Sequence, residues 1–497
     1  MAGAGGERKI FGLFRIGSES QGQRLLAWPE SRRTPQDLIE TIDLPPGVED
    51  GLEDHQKKIL ANLVNAATGF AAVFAAQDAA EELSFYPAGA TREQIIEADE
   101  KNPDANIRSP YTVVEIDSNG NWLAKPMHQV YAQLIKENRV REYLRQAASS
   151  ATKGSDKDQT LRIFLIARDK AFETGEYKQS EEFWITSDIE PKVSIEIGFH
   201  DAYHDSLMGE KFAAQAWVDI LDEQRTEIAR GHVKTFQRWR KQKTHKPTEL
   251  VRVRAGYPKV MTGQAALYDW SANSYPCQEE WRQEMGSKIH LFLTQFEKNV
   301  RRRRPVMEQL GRLYDIPDQK IQDLAFQQLV YHEAAHSEVS VGIKRRLGRL
   351  AQPVKELYCD LLALEAINDT STEQYTKDIA LLSIFADGLL GYVDYLAQRK
   401  RAEYYVGTST ILSYCVENGS VNVNEYGIIW DDTERVFEDI SQLAKKVKTV
   451  QSRGTLNSAQ RFFDSHFHPD IYSVLVRLAN TSPQFLLEEG ETTVATL

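Results

Sequence analysis

Residues 331–337 read Tyr-His-Glu-Ala-Ala-His-Ser, and the two histidines in this run are four positions apart. On an α-helix, side chains four residues apart lie one above the other, so the imidazoles of His332 and His336 point in the same direction. Two imidazoles in this arrangement can both bind one metal ion. Glu333 follows the first histidine, and its carboxylate can take a proton from water at such a site. The spacing therefore predicts a helix that carries a metal site.

A third ligand is predicted on a second helix. Glu356 lies twenty positions after His336 and begins a run whose leucines have helical spacing. Two histidines and one glutamate suit a catalytic zinc ion with an open fourth position, so we predict that His332, His336 and Glu356 hold one Zn²⁺. Asp360 follows one turn later, where it can accept the second N–H of a ligating imidazole. The alternative is a helix whose two histidines make only structural hydrogen bonds.

Two motifs resemble known metallopeptidases. The pattern His-Glu-x-x-His followed by Glu-x-x-x-Asp resembles the gluzincins. The run from Ile197 to Asp205, Ile-Gly-Phe-His-Asp-Ala-Tyr-His-Asp, resembles a segment of the dipeptidyl-peptidase III family. Weaker likeness extends over Asn106–Tyr111, Gly209–Phe212 and Leu412–Gly419. The resemblance covers about residues 100 to 490 thinly, and the five-residue zinc motif is the variant found in Nudix-fused relatives.

This resemblance implies roles for further residues. In that family the acid after Ile-Gly-Phe holds the free amino terminus of a peptide, which implies that Asp201 is an amine anchor. The family tyrosine stabilises the transition state, which implies that Tyr203, with Tyr404 or His204, donates to the oxyanion. The segment that grips the substrate backbone is expected to be replaced by residues 255–259, and Tyr404 stands where relatives carry a histidine. We therefore expect intact water activation and altered backbone recognition.

Composition limits the possible partners and compartment. A net charge of −12 argues against nucleic-acid binding, because phosphate contact normally needs a basic surface. The three cysteines are too few and too scattered for a disulfide framework. The N-terminus lacks the apolar region of a secretory signal, and no stretch is expected to reach the roughly twenty apolar residues of a membrane span. We expect a cytoplasmic protein that binds neither nucleic acid nor membrane, and its oligomeric state stays open.

The predicted fold class is α+β, predominantly α, with two lobes around a cleft. Residues 1–50 are predicted to be a partly ordered arm, 51–275 a mixed lobe with a small sheet or barrel, and 276–497 a helical zinc-binding lobe. The runs 193–197, 212–218 and 250–254 alternate like half-buried strands, and a hairpin is expected within 111–125. A single helix is predicted over 278–302.

These expectations converge on a zinc-dependent hydrolase. It would cleave peptide (amide) bonds, mainly of short peptides, by attack of a zinc-bound water with Glu333 as the base. Two alternatives remain open: a metal-dependent hydrolase or lyase that acts on a non-peptide small molecule, and a catalytically silent binding protein that retains the zinc-peptidase fold.

Two further candidates carry weaker signals. His466-Phe467-His468 has the His-x-His spacing of some metal sites, but we expect no carboxylate partner for it. Cys359 lies inside the third-ligand motif, and we expect it to pack in the core without a basic partner.

Overall fold

The structure is a computed structural model that describes residues 33–79, 85–152, 154–202, 204–205, 207–245, 249–268, 270–311, 316–396, 402–424 and 427–480. Most of the predicted N-terminal arm and the predicted oxyanion donor Tyr203 lie outside these residues. The described chain forms two compact units, one ending at Phe296 and the other beginning at Glu297.

The unit before Glu297 contains eight strands and most of the shorter helices. Its strands are β1 Ile39–Thr41, β2 Thr112–Ile116, β3 Trp122–Pro126, β4 Val193–His200, β5 Ala213–Leu221, β6 Val251–Gly263, β7 Ala272–Tyr275 and β8 Ser287–Phe292. Its helices are α1 Asp54–Ala79, α2 Arg92–Lys101, α3 Met127–Val130, α4 Ala132–Glu137, α5 Val140–Ala151, α6 Asp156–Thr174, α7 Lys178–Thr186, α8 Glu223–Thr244, α9 Gln264–Tyr268 and α10 Glu279–Met285.

One six-stranded sheet organises this unit. Its strands run in the order β4-β5-β6-β8-β7, and β1 adds to β6 at residues 260–262. The pairing of β6 with β8 is parallel, whereas the other pairings are antiparallel. Strands β2 and β3 form a separate hairpin, as predicted within 111–125. The small predicted sheet is therefore present, with β6 at its centre.

The two strands nearest the predicted amine anchor are more buried than expected. Alternation in the sequence predicted half-buried strands, but every residue of β4 and β5 is buried. The polar positions face a second layer instead of solvent, because Glu196 on β4 pairs with Arg168 on α6. The alternation thus separates an apolar buried face from a charged buried face.

Helix α1 shows why apolar composition alone does not identify a membrane span. Residues 54–78 are long and apolar enough to cross a membrane, so the expectation that no stretch reaches this length is wrong. However, 56% of its most apolar window is buried inside the unit, and the helix packs against α5 and strands β4, β5 and β6. The apolar surface of α1 contributes to the core of the sheet unit.

The prediction of a single helix over 278–302 is also wrong. Apolar residues continue at helical spacing through this segment, but α10 ends at Met285 and is followed by Gly286, whose φ is +77°. A Cβ at this position would lie 2.4 Å from the carbonyl oxygen of Leu250. The chain then enters β8, which pairs with β6, before helix α11 Leu293–Gly311 begins. Long-range strand pairing therefore overrides the local helical pattern.

Among its described residues, the unit from Glu297 onwards is helical apart from a short hairpin. Beyond α11 it contains α12 Asp318–Ala335, α13 Ile343–Leu347, α14 Ala351–Thr370, α15 Gln374–Leu396, α16 Ala402–Glu417, α17 Thr433–Arg453, α18 Leu456–His466 and α19 Pro469–Asn480, with strands β9 Asn422–Asn424 and β10 Gly427–Ile429. Helix α14 packs against α12, α15, α16 and α17, and it is apolar on nearly all sides. The α+β, predominantly α class is confirmed.

Candidate metal centre

The two histidines of the opening motif lie at the end of helix α12. His332 is in its last turn, and His336 begins a short 3₁₀ turn, His336–Glu338. The ring centroids are 5.1 Å apart, so the two imidazoles face the same space. The two imidazoles that the i, i+4 spacing pairs are therefore neighbours in the structure.

Glu356 on α14 completes a group of three ligands. The ligand atoms of His332, His336 and Glu356 all lie within 4.8 Å of one another. Glu356 Oε2 is 3.1 Å from His332 Nε2 and 3.9 Å from His336 Nε2. Two ligand atoms of a tetrahedral zinc ion are about 3.4 Å apart when each bond is about 2.1 Å. The donors and their spacing fit a tetrahedral metal ion with a fourth position left for another ligand.

The base candidate Glu333 reaches the same group. Its Oε2 is 3.9 Å from His336 Nε2, and the residue is 7% exposed. The other oxygen of the third ligand is also fixed, since Gln352 Nε2 donates to Glu356 Oε1 at 2.5 Å. The group thus combines three potential metal ligands with a neighbouring carboxylate, that of Glu333.

Asp360 lies where its spacing predicted, one turn after Glu356. Its Oδ1 is 2.6 Å from His332 Nδ1, and its Oδ2 accepts a hydrogen bond from Thr408 Oγ1 at 2.9 Å. Helix α16 can bring Thr408 this close because Gly407 has no side chain. A Cβ on Gly407 would lie 2.9 Å from the carbonyl oxygen of Pro353. The chain Thr408–Asp360–His332 leaves the imidazole Nε2 facing the other two ligands.

Cys359 has a partner that the sequence did not reveal. Its sulfur is 3.3 Å from His336 Nδ1, so the expectation of packing without a basic partner is wrong. A neutral His336 that offers Nε2 to a metal carries its proton on Nδ1, and this N–H then donates a hydrogen bond to the Cys359 sulfur. Burial and the nearby Glu356 carboxylate raise the pKa of Cys359 well above the usual range, so the sulfur stays a neutral thiol. Cys359 and Asp360 therefore orient one histidine each.

The electrostatics of this group favour positive charge. Burial alone would lower the pKa of His332, but the Asp360 and Glu356 carboxylates outweigh it and raise that pKa well above its usual range. Burial would raise the pKa of Glu356, yet His336 and His332 lower it to about 2. The group thus attracts positive charge, whether that charge is a proton or a metal cation.

A second compact group of carboxylates and histidine is already neutralised by the protein. Glu181, Glu196 and His200 lie within 4.8 Å of one another and are buried in the sheet unit. Arg168 lies between the two glutamates, with Nη2 at 2.7 Å from Glu181 and 2.8 Å from Glu196. A Cβ on Gly198 would lie 2.6 Å from Arg168 Nη1, which explains the glycine of the Ile-Gly-Phe run. This group is a structural ion network.

Asp219 on β5 forms a comparable network. Its Oδ2 is 2.9 Å from Arg254 Nε and 3.0 Å from His290 Nε2, and all three residues are fully buried. The charges of Glu196 and Asp219 are therefore balanced by arginines of the same unit.

The predicted amine anchor Asp201 is held in a strained and buried conformation. Its φ of +55° lies in the left-handed region, which residues other than glycine rarely adopt. Asp201 Oδ2 accepts a hydrogen bond from Asn273 Nδ2 at 2.9 Å, and Oδ1 accepts one from the Cys277 thiol at 3.0 Å. Asn273 also donates to the hydroxyl of Tyr275 at 2.7 Å. Sequence reasoning missed these partners, because they come from β7 and the turn after it.

The remaining predicted residues have other positions. His204 packs its ring 5.0 Å from that of Phe74, and its main-chain N–H donates to Gln264. The side chain of Tyr404 lies outside the described residues, as does Tyr203. Residues 255–259 lie within β6, where their backbone pairs with neighbouring strands. The backbone of this segment is engaged in the sheet, and altered recognition of a substrate backbone stays a prediction.

In sequence, the chain has only a distant likeness to the known proteins that follow. No family model matches the chain. A curated relative, Nudix hydrolase 3 from Arabidopsis thaliana, is 19% identical over 364 residues. The match covers 69% of this chain and 45% of that protein, so the chain spans less than half of the relative.

Two solved structures cover nearly the whole chain. Dipeptidyl-peptidase III from Caldithrix abyssi has 17% identity and a TM-score of 0.70, with 93% of this chain and 97% of that chain covered. Dipeptidyl-peptidase III from Corallococcus sp. strain EGB has 18% identity and a TM-score of 0.75, with 92% and 96% covered. The chain therefore has a dipeptidyl-peptidase III-like fold.

Proposed function

From a dipeptidyl-peptidase III-like fold that carries a convergent His-His-Glu group, we propose that the chain is a zinc-dependent hydrolase of peptide bonds, acting on short peptides. The observation that carries the proposal is the meeting of His332, His336 and Glu356, with the Glu333 carboxylate 3.9 Å from one of these ligands. A purely structural zinc site more often has four protein ligands and needs no neighbouring base.

The three ligands would hold one Zn²⁺, which supplies Lewis acidity when bound. Glu333 takes the proton of the attacking water and delivers it to the leaving amine. Asp360 and Cys359 keep the two imidazoles turned so that each Nε2 faces the ligand group. We assign Tyr203 and Tyr404 to the oxyanion on the family resemblance alone.

Asp201 is proposed to bind the free amino terminus of the substrate. Its hydrogen-bond partners Asn273 and Cys277 are neutral, so a substrate ammonium would be its positively charged partner. Such a group discriminates between peptides with free and blocked amino termini, because a blocked terminus lacks the charge. These hydrogen bonds hold the carboxylate in place, which is the pre-organisation that a recognition group needs.

The first experiment measures metal content and turnover together. Elemental analysis should find one equivalent of zinc in the wild-type protein, and the substitutions His336→Ala and Glu356→Ala should each abolish it. Short peptides with free and blocked amino termini then serve as substrates.

The decisive variant is Glu333→Gln, which should keep its zinc and lose turnover, because the amide cannot accept the proton. Glu338→Gln is the matched control, since it removes a carboxylate from the turn after the second histidine and should retain activity. Turnover by the Glu333→Gln protein at near the wild-type rate would exclude this mechanism. Metal binding without turnover of any peptide by the wild type would favour the silent binding protein.

A further inference from the structure

The motif His466-Phe467-His468 has a carboxylate partner after all, at the far end of helix α16. Glu417 Oε2 lies 3.2 Å from His466 Nδ1 and 3.7 Å from His468 Nε2. The expectation of no such partner is therefore wrong. From this arrangement we propose that the Glu417 trio, defined as Glu417, His466 and His468, is a second binding site for a divalent transition metal.

The distances resemble those of the first site. There the shared glutamate oxygen lies 3.1 and 3.9 Å from two imidazole nitrogens, and here the corresponding values are 3.2 and 3.7 Å. Both pairs bracket the separation of about 3.4 Å between two ligand atoms of tetrahedral zinc. At 3.7 Å the contact between His468 and Glu417 is too long for a hydrogen bond, so hydrogen bonding does not account for the position of this ring.

The backbone holds both rings near Glu417. Helix α18 ends at His466, and the next residue, Phe467, is extended and fully buried. Side chains on either side of an extended residue point to the same side of the chain. The main-chain N–H of His468 donates to Ser413 Oγ at 3.2 Å, which ties this turn to α16, the helix that carries Glu417. The His466 ring packs against Tyr414 and Phe462 at centroid distances of 5.2 Å.

Closing the trio on a metal requires side chains to move. Unlike the His332 group, the trio is not among the groups of described residues whose ligand atoms all lie within 4.8 Å of one another. The His468 side chain is 21% exposed and the Glu417 side chain 44% exposed, so both can rotate without opening the core. We therefore expect weaker binding than at the first site, because part of the binding free energy orders these side chains.

The ligand types select the class of metal. Two imidazoles and one carboxylate suit Zn²⁺, Co²⁺, Ni²⁺ or Cu²⁺, whereas Mg²⁺ and Ca²⁺ prefer oxygen ligands. A bound ion would join the end of α16 to the end of α18 and to the start of α19. Binding to the folded chain alone would raise its melting temperature.

The test uses Zn²⁺ as the only added ligand and the full chain carrying His336→Ala, which removes the first site. Calorimetric titration should show one remaining equivalent of zinc, and zinc should raise the melting temperature. Adding Glu417→Gln or His468→Asn should abolish both effects, whereas His128→Asn, a histidine substitution in the sheet unit, should leave them intact. These two variants avoid the packed ring of His466, so loss of folding does not imitate loss of the site.

Wild-type protein already holding one equivalent of zinc gives an independent measurement. It should bind a second equivalent that either substitution in the trio abolishes. The proposal is overturned if no second equivalent binds, or if that equivalent survives both substitutions. Neither result depends on peptidase activity, so the first site and this one are tested separately.

Discussion

Replacing Asp360 by asparagine should weaken zinc binding about tenfold. The carboxylate accepts a short hydrogen bond of 2.6 Å from His332 and is itself held by Thr408 at 2.9 Å. Asparagine can accept from His332 through Oδ1 and donate to Thr408 Oγ1 through Nδ2, so it can keep two hydrogen bonds but loses the charge. A hydrogen bond to a charged group contributes about 1.5–3 kcal/mol and a neutral one about 0.5–1.5 kcal/mol, a difference of about 1–1.5 kcal/mol. That difference corresponds to about a factor of ten in the dissociation constant.

Asp360→Ala should have a larger effect, up to about a hundredfold, because it also releases the orientation of the imidazole. The assay is competition for Zn²⁺ against a chromophoric chelator at fixed pH. Asp369→Asn is the matched control, since it removes the same charge from an exposed position of the same helix. If Asp360→Asn binds zinc as tightly as this control, Asp360 does not orient the ligand and the reasoning fails.

Three further predictions address other parts of the molecule. Burial opposes ionisation of Asp219, but its ion partners lower its pKa from 3.8 to about 2. The ionised carboxylate therefore contributes about 2 kcal/mol of stability above pH 3.8, and this stability is lost as the pH falls towards 2. Denaturant unfolding at several pH values should show a flatter acid-side profile for Asp219→Asn, and an unchanged profile would contradict this. Brief alkylation should label the partly exposed Cys277 first, because Cys359 and Cys415 are buried thiols whose pKa is raised. Mass spectrometry detects the label, and equal labelling of all three cysteines would be inconsistent with the structure. Asp201→Asn should reduce kcat/KM for peptides with free amino termini at least about thirtyfold while sparing blocked peptides, and equal losses for both would remove the anchor role.

The sequence predicted which side chains meet at the candidate metal centre, because the spacing within each motif is local. His332 and His336 share one helix face, and Asp360 follows Glu356 by one turn, so spacing alone placed each pair correctly. The distance between the two motifs in the chain did not matter once α12 and α14 packed together. Element type was likewise predictable where periodicity was strong, as in β4, β5 and α1.

The errors arose where distant segments decide the outcome. Strand β8 has apolar residues at helical spacing, and it becomes a strand because β6 offers a parallel partner. Asn273 and Cys277 lie more than seventy residues after Asp201, so no spacing rule connects them. Cys359 and His336 meet only through the packing of two helices. Such contacts depend on tertiary structure, which local patterns do not specify.

The ion networks around Glu196 and Asp219 differ from the candidate metal group in how their carboxylates are neutralised, and this difference is an argument for a metal. In the sheet unit the buried carboxylates Glu196 and Asp219 contact arginines of the same unit, at 2.8 and 2.9 Å. In the helical unit Glu356 and Asp360 instead contact histidines and neutral donors. Burying carboxylates without a cation is unfavourable, so such a group must acquire positive charge from a proton or from a metal. The raised pKa of His332 reflects the same excess of negative charge, and the divalent transition metal that we propose, held by two imidazoles and one carboxylate, would supply the positive charge.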